Sequence, residues 1–510
     1  MRAALRMVGL GLLWSLGLAA PSLAQSVPNI TLEQMIGTGP NRGALEISNT
    51  GYVPRTPDDP KLANAIATLD GQARTDLDRK LLANLYALRA QTYRLKEVDK
   101  AEADFDTSLR IISGNDPRTL QPARDDLIQR KALYLSNLGG TATDKAIGLY
   151  RQVFDAFDPA SLAAYQSYAL ENQALQIYAR TAITLTELSF AQGRPDEARA
   201  WVQQTLAKIG PLPSPLAREQ LLAVLYSFGA GLAARGPAEQ AEALTVFDQV
   251  LARGKTALSG DRYQWLAQSL MAKGLLLRQM GRRDEAAAVE AELIDTYNDD
   301  TDLVVARAVL VTKFTQTKEK AASYASPRAL ADAYEALAAE YEPKLQRPRS
   351  IVNSPAAPLA LAIAEIRLQQ TATLGTLLPP PLQEIIRVGR SAVDLTKGAS
   401  GPTTLPLLLS GYFTLANAYG ATGPLGAAPA LQQLDHMAEA LEGRDGPMPD
   451  RFKLIELLLR RNVITQWLPG ETQQLEAIAQ EAQARFGASE DPQIRQFLGL
   501  LNPAQYPRKP

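Results

Sequence analysis

The 510-residue chain contains no cysteine and one histidine, His436. The first absence excludes disulfide staples, thiol catalysis, thiolate zinc sites and iron–sulfur clusters. The second leaves no set of imidazoles for a metal centre, so no metal and no cofactor is expected. Aromatics are 6% of the chain, and beyond residue 24 the only tryptophans are Trp201, Trp265 and Trp467, few for the platforms of a sugar cleft. Neither sign of charge is in excess. With 53 Lys and Arg against 54 Asp and Glu, no global field draws the chain to nucleic acid or anionic membrane. No Gly-x-Ser-x-Gly nucleophile turn occurs, and "GASGP", Gly398 to Pro402, lacks the lysine of a phosphate loop.

Carboxylate pairs are plentiful, among them Asp196/Glu197, Asp284/Glu285 and Asp299/Asp300. They fall at expected helix ends, where capping and solvation explain them better than a facing acid–base pair does. His436, beside Asp435 on an expected helix, reads as a surface or groove residue. The short basic clusters at Arg347/Arg349 and Arg460/Arg461 are interspersed with apolar residues and read as solvated faces. No catalytic residue is assigned.

Long apolar runs are lacking except at the start. Arg2 and Arg6 precede an apolar stretch from Met7 to Ala20, and Pro21-Ser22-Leu23-Ala24 supplies a breaker and small residues before Gln25. This is the pattern of a cleaved Sec-type signal peptide over residues 1–24, shorter than the roughly 20 residues of a membrane span. Its removal would take two arginines and no acid, moving the formal charge from −1 to −3. The expectation is a periplasmic or secreted protein with no stable membrane insertion after cleavage.

Residues 25–60, rich in Gly, Pro, Asn and Thr, read as an extended or partly ordered lead-in. From Lys61 the chain turns Ala/Leu-rich with a helical period. Tyr263, Leu266, Ala267, Leu270, Met271, Gly274 and Leu277 form one helical stripe, and Ala286, Val289, Leu293 and Tyr297 form a second after Gly281. Two amphipathic helices joined by a few residues must fold back on each other. The same join is written twice, as "FAQGRPDEARA" from Phe190 and "RQMGRRDEAAA" from Arg278. Gly193 and Gly281 suit the positive φ of a helix C-cap, while Asp196-Glu197 and Asp284-Glu285 place negative charge on the next first turn.

Small residues recur 12 apart, Gly231 with Ala243 and Gly274 with Ala286; Thr186 and Ala198 share the spacing. Together with Ala243-x3-Phe247, Ala101-x3-Phe105 and Ala146-x3-Tyr150, this pattern resembles the tetratricopeptide repeat. The alanines Ala101, Ala146, Ala198, Ala243 and Ala286 step by 45, 52, 45 and 43 residues. That exceeds the family's unit of about 34; the longer steps resemble long-helix variants of the family and overlap the HEAT/armadillo range of about 40–47. Tyr134 stands at a small-residue site, and Glu290 stands where the family has an aromatic. The resemblance implies an all-α fold: a right-handed solenoid of antiparallel helical hairpins, about nine by pattern.

The expected organisation is a repeat array over 61–342, a Pro-rich boundary at 343–358, C-terminal hairpins over 359–502 and a tail at 503–510. The later hairpins are expected to pair 302–319 with 327–341, 358–374 with 382–397, 405–419 with 424–441 and 450–467 with 471–486, with 493–501 as a last cap. One helix is expected to run from 160 to 192, about 45 Å at 1.5 Å per residue. On it Tyr165, Tyr168 and Asn172 fall at i, i+3 and i+7, with Tyr178 further along. Amphipathic aromatics beside an amide could grip an extended peptide, and these four are the candidate partner groove; inter-repeat packing with the hydroxyls at the surface is the simpler account of them. The resemblance implies an envelope scaffold that holds a protein or peptide partner. An envelope enzyme on an all-α framework, a toroid glycosidase or lyase or a lytic-transglycosylase-like protein, is the alternative.

Overall fold

A computed structural model describes residues 54–501, apart from 55, 72–74, 94–96, 114–116, 166–167, 256–261, 346–355, 398–403, 445, 469 and 490. The expected signal peptide, most of the lead-in, the centre of the Pro-rich segment and the tail lie outside these residues.

The two look-alike turns fold alike, atom for atom. Gly193 has φ +71° and Gly281 φ +79°, the left-handed conformation that ends a helix without a Cβ clash. In the first turn the N–H of Arg194 donates to Ser189 O at 2.8 Å and that of Gly193 to Phe190 O at 3.0 Å. In the second, Arg282 donates to Leu277 O at 2.8 Å and Gly281 to Arg278 O at 3.0 Å. This paired bonding is the Schellman motif. Each turn then carries an Arg–Glu ion pair into the next helix, Arg194 to Glu197 and Arg282 to Glu285, both at 2.6 Å.

Repetition of this unit builds the chain. After α1 (Pro60–Asp70) come five hairpins: α2 (Asp76–Thr92) with α3 (Val98–Ile112), α4 (Pro117–Leu138) with α5 (Thr141–Ala156), α6 (Tyr168–Ala191) with α7 (Pro195–Ile209), α8 (Pro215–Ala233) with α9 (Pro237–Lys255), and α10 (Arg262–Gln279) with α11 (Arg283–Tyr297). Four more follow: α12 (Leu303–Glu319) with α13 (Pro327–Leu345), α14 (Ala356–Leu374) with α15 (Leu382–Thr396), α16 (Thr404–Gly420) with α17 (Ala427–Ala440), and α18 (Pro447–Trp467) with α19 (Thr472–Phe486). The last helix, α20 (Pro492–Leu501), packs on α18 and α19. The fold is all-α, a solenoid of nine hairpins, with no strand among the described residues.

The predicted small residues hold the hairpins together. Ala101, Ala146, Ala198, Ala243 and Ala286 are fully buried. A Cβ on Gly231 would stand 2.4 Å from the Phe190 ring, and one on Gly274 would stand 3.1 Å from Glu290 Cγ. Glu290, where the family pattern has an aromatic, is 2% exposed and is neutralised by the guanidinium of Arg278 across its hairpin.

By packing, the chain divides into two units between Glu292 and Leu293, inside α11. Within the N-terminal unit the first helices α2, α4, α6, α8 and α10 pack on one another in succession. Within the C-terminal unit α12, α14, α16 and α18 do the same, while second helices pack mainly on their own partner and the next first helix. The Pro-rich segment is entered by helix from both sides: α13 runs through Pro343 to Leu345, α14 begins at Ala356, and the two pack together.

One expected element differs. The helix over 160–192 is not continuous. Asp158 caps a short 3-10 helix, Pro159–Ala164, through the N–H of Ala160 at 3.0 Å, and Tyr165 follows in extended conformation. The α-helix proper starts at Tyr168 and has 24 residues, about 36 Å at 1.5 Å per residue.

Candidate functional site

A polar stripe on α6 links the first helices of the N-terminal unit. Gln173, Gln176, Arg180, Thr184 and Glu187 follow one another at steps of 3, 4, 4 and 3, all exposed or half-buried. Their contacts go to neighbouring first helices. Arg180 lies 3.8 Å from Asp126 of α4, which also holds Arg130 at 2.8 Å. On the other flank, the hydroxyl of Ser227 on α8 donates to Glu187 at 3.3 Å. Beneath this stripe the amide of Gln129 on α4 donates to Ile177 O at 2.6 Å and to the Thr181 hydroxyl, locking α4 to α6.

Two carboxylates on this layer are perturbed. Burial pushes Asp125 up from 3.8 to about 6, opposed by a hydrogen bond from Gln121 and by the charge of Arg124. Burial also raises Glu187, against the bond from Ser227. Glu187 nevertheless has an exposed side chain. In the C-terminal unit Glu365 of α14 is half-buried and likewise raised by desolvation, with Lys318 and Arg307 of α12 acting against it.

The four sequence-predicted residues do not share a face. Tyr165 is half-buried on the extended link before α6, and the charge of Asp125 reaches it there. Tyr168 opens α6; the placement of its side chain is outside what the structure describes. Asn172 is 7% exposed, with its Oδ1 buried and without a hydrogen-bond partner. Tyr178 is 1% exposed and belongs to the core. Its ring stacks on Phe154 and Phe157 of the preceding hairpin, with centroids 5.0 and 4.1 Å away, and Lys208 of α7 sits over it at 5.6 Å. The placement of Tyr178 on an open groove is therefore corrected: it faces the second helices, roughly opposite Arg180. Sequence reasoning missed Arg180, Glu187 and Asp125, although the polar stripe of α6 was there at helical spacing.

His436 is partly exposed, 5.7 Å ring to ring from Tyr412 and 3.7 Å from Glu439. Among the described residues no three His, Asp or Glu side chains gather as metal ligands would, and no helix is long and apolar enough to cross a membrane.

A concavity lies in the C-terminal unit, a cleft of about 930 Å³ between the end of α17, the start of α18, the end of α19 and α20. Leu441, Leu457, Phe486 and Ile494, all buried, line its floor.

No protein-family profile matches the sequence, and no curated protein does. Among solved structures the chain is similar to a monomeric mutant of IFIT1 with Gppp-AAAA, at 13% identity and a TM-score of 0.31, over 86% of this chain and 88% of that one. So slight a likeness carries no argument. The chain's own hairpin rhythm, its buried small residues and its duplicated Schellman turns make it an all-α protein of repeated helical hairpins, the architecture that the tetratricopeptide resemblance of its sequence implies.

Proposed function

We propose that the chain is an exported, non-enzymatic scaffold of the cell envelope that holds a protein or peptide partner on the first-helix layer of its N-terminal unit. The observation that carries this is the polar stripe of α6, exposed or half-buried along its length, from which Arg180 reaches Asp126 on one neighbouring first helix and Glu187 accepts from Ser227 on the other. A partner's polar backbone meets donors and acceptors there that are already held in place by neighbouring helices, which lowers the ordering cost of binding. The arginine–carboxylate pairs at the surface contribute little to stability and so are available to exchange partners. Export is supported by the leader pattern of residues 1–24, and the mature chain would begin at Gln25.

The test combines intact-mass measurement of protein recovered from the periplasm with cross-linked capture from envelope extracts. A mature N-terminus at Gln25 is expected. Partner bands are expected to be lost in the Arg180→Glu/Glu187→Arg variant and kept in Asp196→Ala, a change on α7 whose ion pair, to Arg199, stays within its own helix. Retention of residues 1–24 refutes the export assignment. Identical capture by both variants, or conversion of an envelope glycan by the purified chain, refutes the scaffold.

A further inference from the structure

The cleft of the C-terminal unit stands apart from the first-helix layer of the N-terminal unit, and its lining has its own chemistry. The floor is apolar, formed by Leu441, Leu457, Phe486 and Ile494. The walls carry five carboxylates, Glu439, Glu442, Asp450, Glu456 and Glu481, against two cations, Lys453 and Arg485. Both cations are already engaged within the cleft. Lys453 lies 3.7 Å from Asp450 and Arg485 lies 3.0 Å from Glu481. Glu456, at the base, is 6% exposed and bound at 2.6 Å by Arg460, whose other contact is Asp435. The surplus negative charge therefore sits at the mouth, on Glu439 and Glu442, both exposed.

The carboxylates are spread over four elements and do not converge as cation ligands would, in line with the absence of any metal-ligand group among the described residues. The volume, about 930 Å³, is at the upper end of the range of roughly 300–1,000 Å³ typical of ligand pockets. An occupant must offer an apolar side chain to the floor and positive charge to the mouth. A nucleic acid would be repelled by the rim, and an acidic peptide likewise.

We infer that this cleft is a docking site for a cationic peptide segment, one that seats an aliphatic side chain on Leu457 and Phe486 with a neighbouring arginine or lysine facing Glu439 and Glu442. The rim carboxylates orient the segment and speed its arrival, and the floor excludes water from the seated side chain. Binding must then weaken with salt.

The test uses the full chain and a fluorescein-labelled peptide, Ala-Arg-Leu-Leu-Arg-Ala, read by anisotropy at low and high salt. Its counterpart with Glu in place of both Arg is the control. The expected result is binding of the cationic probe at least about tenfold tighter than the acidic one, and weaker at high salt. Glu439→Arg/Glu442→Arg should cost about tenfold or more, and the milder Glu439→Gln/Glu442→Gln a smaller part of it, with far-UV helicity unchanged in both. The first-helix variant Arg180→Glu/Glu187→Arg should bind the probe as the parent does, which separates this site from the scaffold surface. Equal binding of the two peptides, or an unchanged affinity in both rim variants, overturns the proposal. So does concentration-dependent self-association that the rim variants abolish, which would assign the cleft to a second copy of the chain.

Discussion

A methyl group added at Gly231 should destabilise the protein, although adding one to a helical glycine ordinarily does the reverse. Gly231 lies near the end of α8, twelve residues before Ala243. An ideal Cβ there would stand 2.4 and 2.5 Å from two carbons of the Phe190 ring, more than an ångström inside van der Waals contact. The ring cannot simply swing away. It stacks on Phe228 at 5.8 Å, and Arg235 covers it at 4.7 Å while its guanidinium binds the Phe190 carbonyl. Overpacking of this kind costs about 1–3 kcal/mol, and replacing Gly by Ala in a helix returns about 1 kcal/mol. Gly231→Ala is thus expected to lose about 1 kcal/mol net. Gly148 is the matched control, an exposed mid-helix glycine of α5 with nothing within 4 Å of its would-be Cβ. Gly148→Ala should gain up to about 1 kcal/mol. Urea unfolding followed by far-UV circular dichroism measures both. Phe190→Leu in the Gly231→Ala background should recover part of the loss, because the smaller side chain vacates the contested space. If Gly231→Ala stabilises as much as Gly148→Ala, the close approach of these helices is wrong, and the repeat register with it.

The turns give a second expectation: Gly193→Ala and Gly281→Ala should each cost roughly 1–2 kcal/mol through left-handed backbone alone, seen as similar falls in melting temperature. Glu290→Ala should cost about 3 kcal/mol or more by stranding the Arg278 guanidinium, far above an exposed pair such as Arg282–Glu285, whose removal should be barely measurable by the same melt. Asp125 gives a pH signature. Because burial disfavours its ionised form, its penalty is absent below its ordinary value of 3.8 and complete above about 6. Stability from this group therefore falls as pH rises through that window, by at most about 3 kcal/mol at ~1.36 kcal/mol per pH unit. Asp125→Asn should raise the melting temperature at pH 7 and leave it unchanged at pH 4.

The hairpins were legible because each boundary has a local cause. Asp302 caps α12 through the N–H groups of Val304 and Val305, and α13 starts at Pro327, so 302–319 and 327–341 were read within a few residues. The break before α6 was not legible. Residues 163–169 contain no glycine or proline, and Tyr165, Tyr168 and Asn172 keep helical spacing by coincidence across a link that is extended at Tyr165. The candidate surface was half visible. A polar stripe on α6 can be read from spacing, but that Arg180 answers Asp126 and Glu187 answers Ser227 depends on helices 40 or more residues away. Glu290 had only the look of a failed aromatic site, since its partner Arg278 lies twelve residues back across a turn.

Within each unit, helices touch their neighbours along the chain and little else. Among the described residues no substantial helix contact ties the first hairpin of a unit to its last, and with no cysteine to bridge them the load of a pull on the ends of a unit passes through its interfaces in series. Such an array yields like a zip and not like a shell: the weakest hairpin detaches first, and its neighbours keep their own contacts. Contacts so short in sequence also let a detached hairpin close again quickly. A partner gripped across several first helices would act as a splint, turning a row of separate interfaces into one mechanical unit, so that in single-molecule stretching the bound chain should give way at fewer and higher force peaks than the free one.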